Sequence, residues 1–100
     1  MHLPQDPVIR ELLPEFIDDW LQQLDTQFAT TLTQRNGTDL YRLGHTLKGS
    51  CFQFELNHIA ELGIGLMAMA NEERWGDARS QIEKIQSAFE QARDFLATQS

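Results

Sequence analysis

The chain has 100 residues, 41% of them apolar and 23% charged, which is the size and composition of one compact soluble domain with a single core. Its formal charge of −7 argues against nucleic acid as a partner, since phosphate backbones are met by basic surfaces. The opening Met-His-Leu-Pro-Gln-Asp-Pro has neither the basic nor the apolar region of a signal peptide, and no apolar run is long enough to cross a bilayer. A single cysteine, Cys51, excludes an internal disulfide and fits a reducing compartment, so a cytoplasmic location is expected.

No run of residues alternates as a strand would, whereas helical periodicity is strong throughout. Asp6-Pro7 reads as an N-cap and a first-turn proline, opening a short helix that Pro14 interrupts or restarts. From Glu15, Phe16, Ile17, Trp20, Leu21, Leu24, Phe28 and Leu32 recur at three- and four-residue steps, and Asn36-Gly37 reads as a stop. Thr38 or Asp39 then caps a helix carrying Leu40, Leu43, Leu47, Cys51 and Phe54. Asn57 can cap a fourth segment with Ile59, Leu62, Leu66, Met69 and Ala70. After Trp75-Gly76, Asp77 can cap a last helix with Ala78, Ile82, Ile85, Phe89, Ala92 and Leu96 on one face. Short connections between amphipathic helices predict an all-α, antiparallel, up-down-up-down four-helix bundle over residues 1–100, with a short additional N-terminal helix over one end. The apolar stripes are used up by one such core, so a monomer is expected.

Charge is unevenly placed. Residues 1–36 carry six acids and two bases, residues 57–100 seven acids and four bases, and residues 37–56 two of each. The middle segment is neutral between two acidic ones, and is the part least repelled by an acidic partner. Within it, Leu40, Leu43, Leu47, Cys51 and Phe54 share a sector of the helix, and His45 falls roughly opposite. Gly49 lies one turn further on the exposed side, Arg42 and Lys48 flank His45 at three residues before and after, and Tyr41 and Phe52 extend the same face. Imidazole in water at pH 7 is substantially neutral and offers a lone pair for attack. A phosphoryl group added there would find Lys48 and Arg42 beside it. Gly49 costs about 0.5–1 kcal/mol relative to alanine inside a helix, a cost that makes sense where a second protein must approach. Gly44, nearer the core sector, suits close helix packing.

Gly44-His45-Thr46-Leu47-Lys48-Gly49-Ser50 resembles the signature of histidine phosphotransfer domains, in which His-x-x-Lys-Gly is followed by small residues. The likeness extends over nearly the whole chain: an acidic, aromatic-bearing helix before the motif, a Leu-rich helix after it, and a long last helix entered by Trp-Gly-Asp. It implies a phosphorelay intermediate, a protein cosubstrate more than an enzyme, that takes phosphate on His45 from an aspartyl phosphate and hands it to another receiver. Lys48 would stabilise the phosphoryl group, Gly49 would keep the approach clear, and Ser50 would pack toward the bundle. The partners would be receiver domains of response regulators or hybrid sensor kinases, which supply the Mg²⁺; the chain itself would need no cofactor. Two positions depart from the pattern. Glu55 stands where many members have a glycine closing the helix, implying an end built differently, around Asn57. Phe52 stands where small residues are common, either as a docking contact or tucked against a neighbouring helix.

The remaining candidates have plainer readings. His2 and His58 lack a second ligand at metal spacing, Cys51 falls on the core side, and Met67 and Met69 are core fillers. Glu15, Asp18 and Asp19 form a solvated face, and Trp20 and Trp75 belong to the core or its edge. A competing function is a helical adaptor that binds a receiver or kinase without being phosphorylated; the pairing of His45 with Lys48 disfavours it. A kinase or phosphatase is disfavoured too, since the chain has no glycine-rich nucleotide loop.

Overall fold

The computed structural model describes residues 3–98, and every regular element among them is helical. They are α1 (Pro7–Gln23), a π-helical turn (Leu24–Phe28), α2 (Ala29–Thr33), α3 (Gly37–Gln53), α4 (Asn57–Asn71) and α5 (Trp75–Thr98). The first three abut, so the described residues form four helical rods joined by three short turns. His2 lies outside the described residues.

The first rod starts as its residues dictate: the Asp6 carboxylate accepts from the Val8 N–H at 2.9 Å, and Pro7 occupies the first turn. Pro14 neither ends nor restarts it, so the separate N-terminal helix expected from that proline is absent. An interior proline costs ~3 kcal/mol. Leu13 and Ile17 beside it are fully buried, and two such side chains together contribute roughly 3–6 kcal/mol. Pro14 itself points to solvent, where water can replace the lost backbone bond. The bundle end is covered instead by an irregular segment: Leu3 and Pro4 are buried, and the Pro4 carbonyl accepts from Arg10 Nη1 at 3.3 Å. Further along, Trp20, Leu24 and Phe28 are all buried at four-residue steps. The π turn, wider than an α turn, rotates less per residue and keeps Leu24 and Phe28 facing inward. Thr26 Oγ1 donates to the Gln22 carbonyl at 2.8 Å, supplying a local partner beside the widened turn.

The residues that precede the other helices lie one to three positions before the caps read from sequence. Asn36, not Thr38 or Asp39, caps α3: its Oδ1 accepts from the Asp39 N–H at 3.1 Å and its Nδ2 donates to Asp39 Oδ2 at 2.8 Å. Leu56 precedes α4 without a side-chain cap, which makes Asn57 its first residue. Asp77 lies within the first turn of α5, paired with Arg74 through Nη2 at 2.6 Å. Three rods close identically. Arg35, Glu55 and Glu73 take left-handed φ values of 52°, 59° and 58°. The next N–H in each case reaches back into the helix, from Asn36 to Thr31, Leu56 to Cys51 and Arg74 to Met69, at 2.8–2.9 Å. The end of α3 is thus built at Glu55 in the geometry a glycine would take, rather than around Asn57.

The core is lined by Leu13, Ile17, Phe28, Leu40, Leu47, Cys51, Ile59, Leu66, Ile85 and Phe89. Phe16 stacks on Phe54 with ring centroids 4.0 Å apart and meets Phe89 edge-on, joining α1, the end of α3, and α5. Gln81 is a buried polar residue that the periodicity missed: its Nε2 donates to the Leu62 carbonyl at 2.8 Å, tying α5 to α4. The tightest packing joins α3 to α4. A Cβ on Gly44 would sit 3.3 Å from the Gly63 carbonyl oxygen, and one on Gly37 would sit 2.9 Å from that of Ala70.

Left-handed φ is unfavourable for residues other than glycine, and Arg35, Glu55 and Glu73 are exposed. Replacing each in turn with glycine is expected to raise stability by about 0.5–1 kcal/mol, read as a higher urea midpoint at unchanged slope. A lower midpoint for Glu55→Gly would show that its side chain contributes more than the strain removes.

Candidate functional site

The helix that bears the sequence motif has two sharply different sides. Leu40, Gly44, Leu47 and Cys51 are buried, while Tyr41, His45, Gly49 and Phe52 form an outward line at steps of four, four and three residues. This is the pattern a helix makes when its apolar residues are drawn inward at 100° per residue. His45 is exposed because it sits opposite Leu40, Leu47 and Cys51.

Helical side chains lean toward the N-terminus of their helix. The Lys48 side chain therefore leans toward the turn of His45, the imidazole toward Tyr41 and Arg42, and Arg42 toward Asp39. Arg42 is exposed, with Nη1 3.7 Å from Asp39 Oδ1. Lys48 is half-buried on the α4 side, where its backbone nitrogen would be 3.4 Å from a Cβ on Gly63. Tyr41 and Phe52 are exposed to 41% and 43%. Phe52 therefore leaves a large part of its side chain in solvent on the His45 side. Ser50 is half-buried.

The two glycines of the motif serve different ends. Gly44 is buried, and a Cβ there would meet Met67 Cγ at 3.1 Å besides the Gly63 carbonyl. Gly49 is exposed, and a Cβ there meets nothing within 4 Å beyond its own helix backbone. Internal packing thus demands the first glycine and leaves the second unexplained. Beside Arg42, a groove runs between the first rod and α3, walled by Gln27, Thr30 and Gln34 on one side and Asp39 and Arg42 on the other. The sequence carries no sign of this feature, since the groove residues within 26–34 are threonines and glutamines that form no motif.

The other candidates lie apart from this face. His58 is exposed in the first turn of α4, across a shallow groove from Glu83 and Lys84 of α5. Among the described residues, no group of three or more His, Cys, Asp or Glu side chains is placed to hold a metal. Burial pushes the Cys51 thiol up to about 12, which keeps it protonated and unreactive. Trp20 is buried, and Met67, Met69 and Trp75 are half-buried. Glu15, Asp18 and Asp19 face solvent, and Asp18 pairs loosely with Arg93 at 3.9 Å. No helix among the described residues is long and apolar enough to cross a membrane.

A helical bundle that displays His-x-x-Lys-Gly on an open helix face is the arrangement of a phosphocarrier module. The model of the Hpt domain family matches residues 9–95, and the chain belongs to that family. Hpt domains act as phosphotransfer modules in two-component phosphorelays; they are not classical enzymes, and they interact with receiver domains. The comparisons with curated proteins and with solved structures returned no match.

Opposite outcomes are expected for alanine at the two glycines. Gly49→Ala should stabilise the fold by about 0.5–1 kcal/mol, through helix propensity alone. Gly44→Ala should destabilise it by about 1–3 kcal/mol, because the Gly63 carbonyl belongs to helix backbone and yields poorly. Urea unfolding of both variants checks this; a destabilised Gly49→Ala would reveal a structural role for that glycine.

Proposed function

We propose that His45 accepts a phosphoryl group from the aspartyl phosphate of one receiver domain and passes it to another. A lone pair on the exposed imidazole attacks phosphorus. The new N–P bond forms as the O–P bond of the acyl phosphate breaks, and the aspartate carboxylate leaves with the electron pair. Onward transfer runs the same exchange toward a second carboxylate. Lys48 stabilises the phosphoryl oxygens from the α4 side and Arg42 from the other, as charge-assisted contacts. Mg²⁺ belongs to the receiver in this reading, and the chain brings no cofactor of its own.

The observation that carries the reading is the open space at Gly49 one turn from an exposed His45. The glycine is unexplained by packing and is explained by a protein surface that must come close to the imidazole. Tyr41 and Phe52, exposed on the same line, are the apolar contacts such a surface would cover, with Arg42 at its edge. The charge pattern supports an acidic partner, because residues 37–56 are neutral between two acidic segments. We take the four rods as an antiparallel up-down-up-down bundle forming one monomeric domain. Support comes from the short turns and from paired contacts that climb α3 (Gly37, then Gly44) as they descend α4 (Ala70, then Gly63).

Incubation with a phosphorylated receiver and Mg²⁺ should leave acid-labile, alkali-stable phosphate on the chain. His45→Gln should abolish it, and Lys48→Gln should slow its appearance about tenfold, the equivalent of one lost charge-assisted contact. Transfer that survives His45→Gln would refute the assignment, and a panel of receivers giving no transfer would favour the unphosphorylated adaptor.

A further inference from the structure

Arg42 has two possible anionic partners, and the geometry ranks them differently before and after transfer. Asp39 is a fixed anion: its N–H donates to Asn36 Oδ1 at 3.1 Å, and its Oδ2 accepts from Asn36 Nδ2 at 2.8 Å. Its other oxygen, Oδ1, faces Arg42 Nη1 at 3.7 Å, beyond hydrogen-bond range. Both side chains of this pair are solvated, with 76% of Arg42 and 50% of Asp39 exposed. Such a pair holds its cation weakly. His45 stands three residues beyond Arg42, a spacing that makes helical side chains neighbours, and its ring leans toward the Arg42 turn. A phosphoryl group there brings up to two negative charges and several acceptor oxygens, which a planar guanidinium can bind through two N–H groups at once.

We propose that Asp39 and a phosphorylated His45 compete for Arg42. The guanidinium rests on Asp39 while the imidazole is bare and swings to the phosphoryl group once His45 carries one. The inference rests on the reading of His45 as the phosphate acceptor and adds a control to it. Asp39 holds back part of the cationic stabilisation and so limits how tightly the phosphoryl group is kept. It acts through Arg42, as a positioning residue that touches neither the phosphoryl group nor the partner's reacting atoms. Its anchoring by Asn36 is what makes the arrangement asymmetric: the anion stays and the cation moves. Lys48, on the opposite flank and half-buried toward α4, lies outside this competition.

The test loads the full chain with phosphoramidate, a small N–P donor, and follows the phosphoryl resonance by ³¹P NMR across pH. Asp39→Asn keeps the backbone N–H that Asn36 accepts from and an oxygen for Asn36 Nδ2, so the α3 cap survives. It is expected to lower the phosphoryl pKa by about 0.3–0.7, a two- to fivefold change in proton affinity on the scale of one exposed ion pair. Arg42→Gln should raise it. In the Arg42→Gln background, adding Asp39→Asn should produce less than a third of its effect in the parent chain. An unchanged pKa in Asp39→Asn, or an equal shift in both backgrounds, would overturn the competition, the latter by reducing Asp39 to a through-space charge. Circular dichroism of each variant separates a loosened helix start from the charge effect, and a helical loss in Asp39→Asn that accounts for the shift also counts against the proposal. A parent chain that takes up no phosphate, or takes it up equally as His45→Gln, refutes the reading of His45 itself.

Discussion

The close approach of α3 to α4 at Gly44 and Gly63 is the constraint from which the rest of the site follows. Either glycine, given a Cβ, would press at 3.3 Å on the other's carbonyl oxygen. The two backbones meet almost directly, without long side chains between them. Contacts of that kind have few alternative packings, because backbone in a hydrogen-bonded helix cannot yield as a rotamer can. With α3 seated on α4 in this way, Leu40, Leu47 and Cys51 turn inward and His45 is left outside. The histidine needs no partner side chain to orient its helix; a rigid helix pair does that.

The other rods complete the core around that pair. Gln81 extends from α5 to the Leu62 carbonyl, one residue before Gly63, so a directed polar contact fixes α5 against the same stretch of α4. A buried donor without that carbonyl would cost about 1–3 kcal/mol, which makes the contact a constraint on register as well as an attraction. The first rod is held by bulk instead. Leu13, Ile17, Trp20, Leu24 and Phe28 are buried along its length. Their burial outweighs a proline in the helix and keeps a π turn in place where four-residue steps would carry the stripe off the core. Beyond the π turn the rod continues beside α3, and the groove next to Arg42 is formed there.

How far the sequence was legible follows from what kind of information each feature uses. The faces of the helices were readable, because burial acts at every apolar position and the period averages over many residues. Hence His45, Gly49 and the flanking cations sit where the wheel put them. Helix starts were less readable. Asn36, Thr38 and Asp39 are all competent caps, and only the reciprocal bonds between Asn36 and Asp39 select the first. Asn36-Gly37 marks the first of the ends, but the left-handed residues Arg35, Glu55 and Glu73 carry no signal of their own, since a left-handed residue that is not glycine looks like any surface residue. Pro14 misled because its backbone cost is local and visible, while the burial that offsets it is tertiary. For Phe52, phase alone leaves two readings open, and its 43% exposure is a tertiary outcome that phase does not give.

A site of this shape also sets how its electrostatics can work. His45 stands on a convex, solvent-exposed helix face, where an ion pair contributes about 0–1 kcal/mol and salt screens it further. On such a face the exposed Arg42 would hold a phosphoryl group on His45 only weakly in the free chain. In the proposed complex, a receiver that covered the face and expelled water would leave the same charges acting through a lower dielectric, strengthened severalfold. The open approach at Gly49 makes that covering possible without a clash. For the proposed carrier this would be the useful order of strengths: weak stabilisation in a free phosphorylated chain would keep the group transferable, and strong stabilisation would arise only in the complex where it moves. A concave pocket with buried cations would reverse that order and trap the group it is meant to pass on.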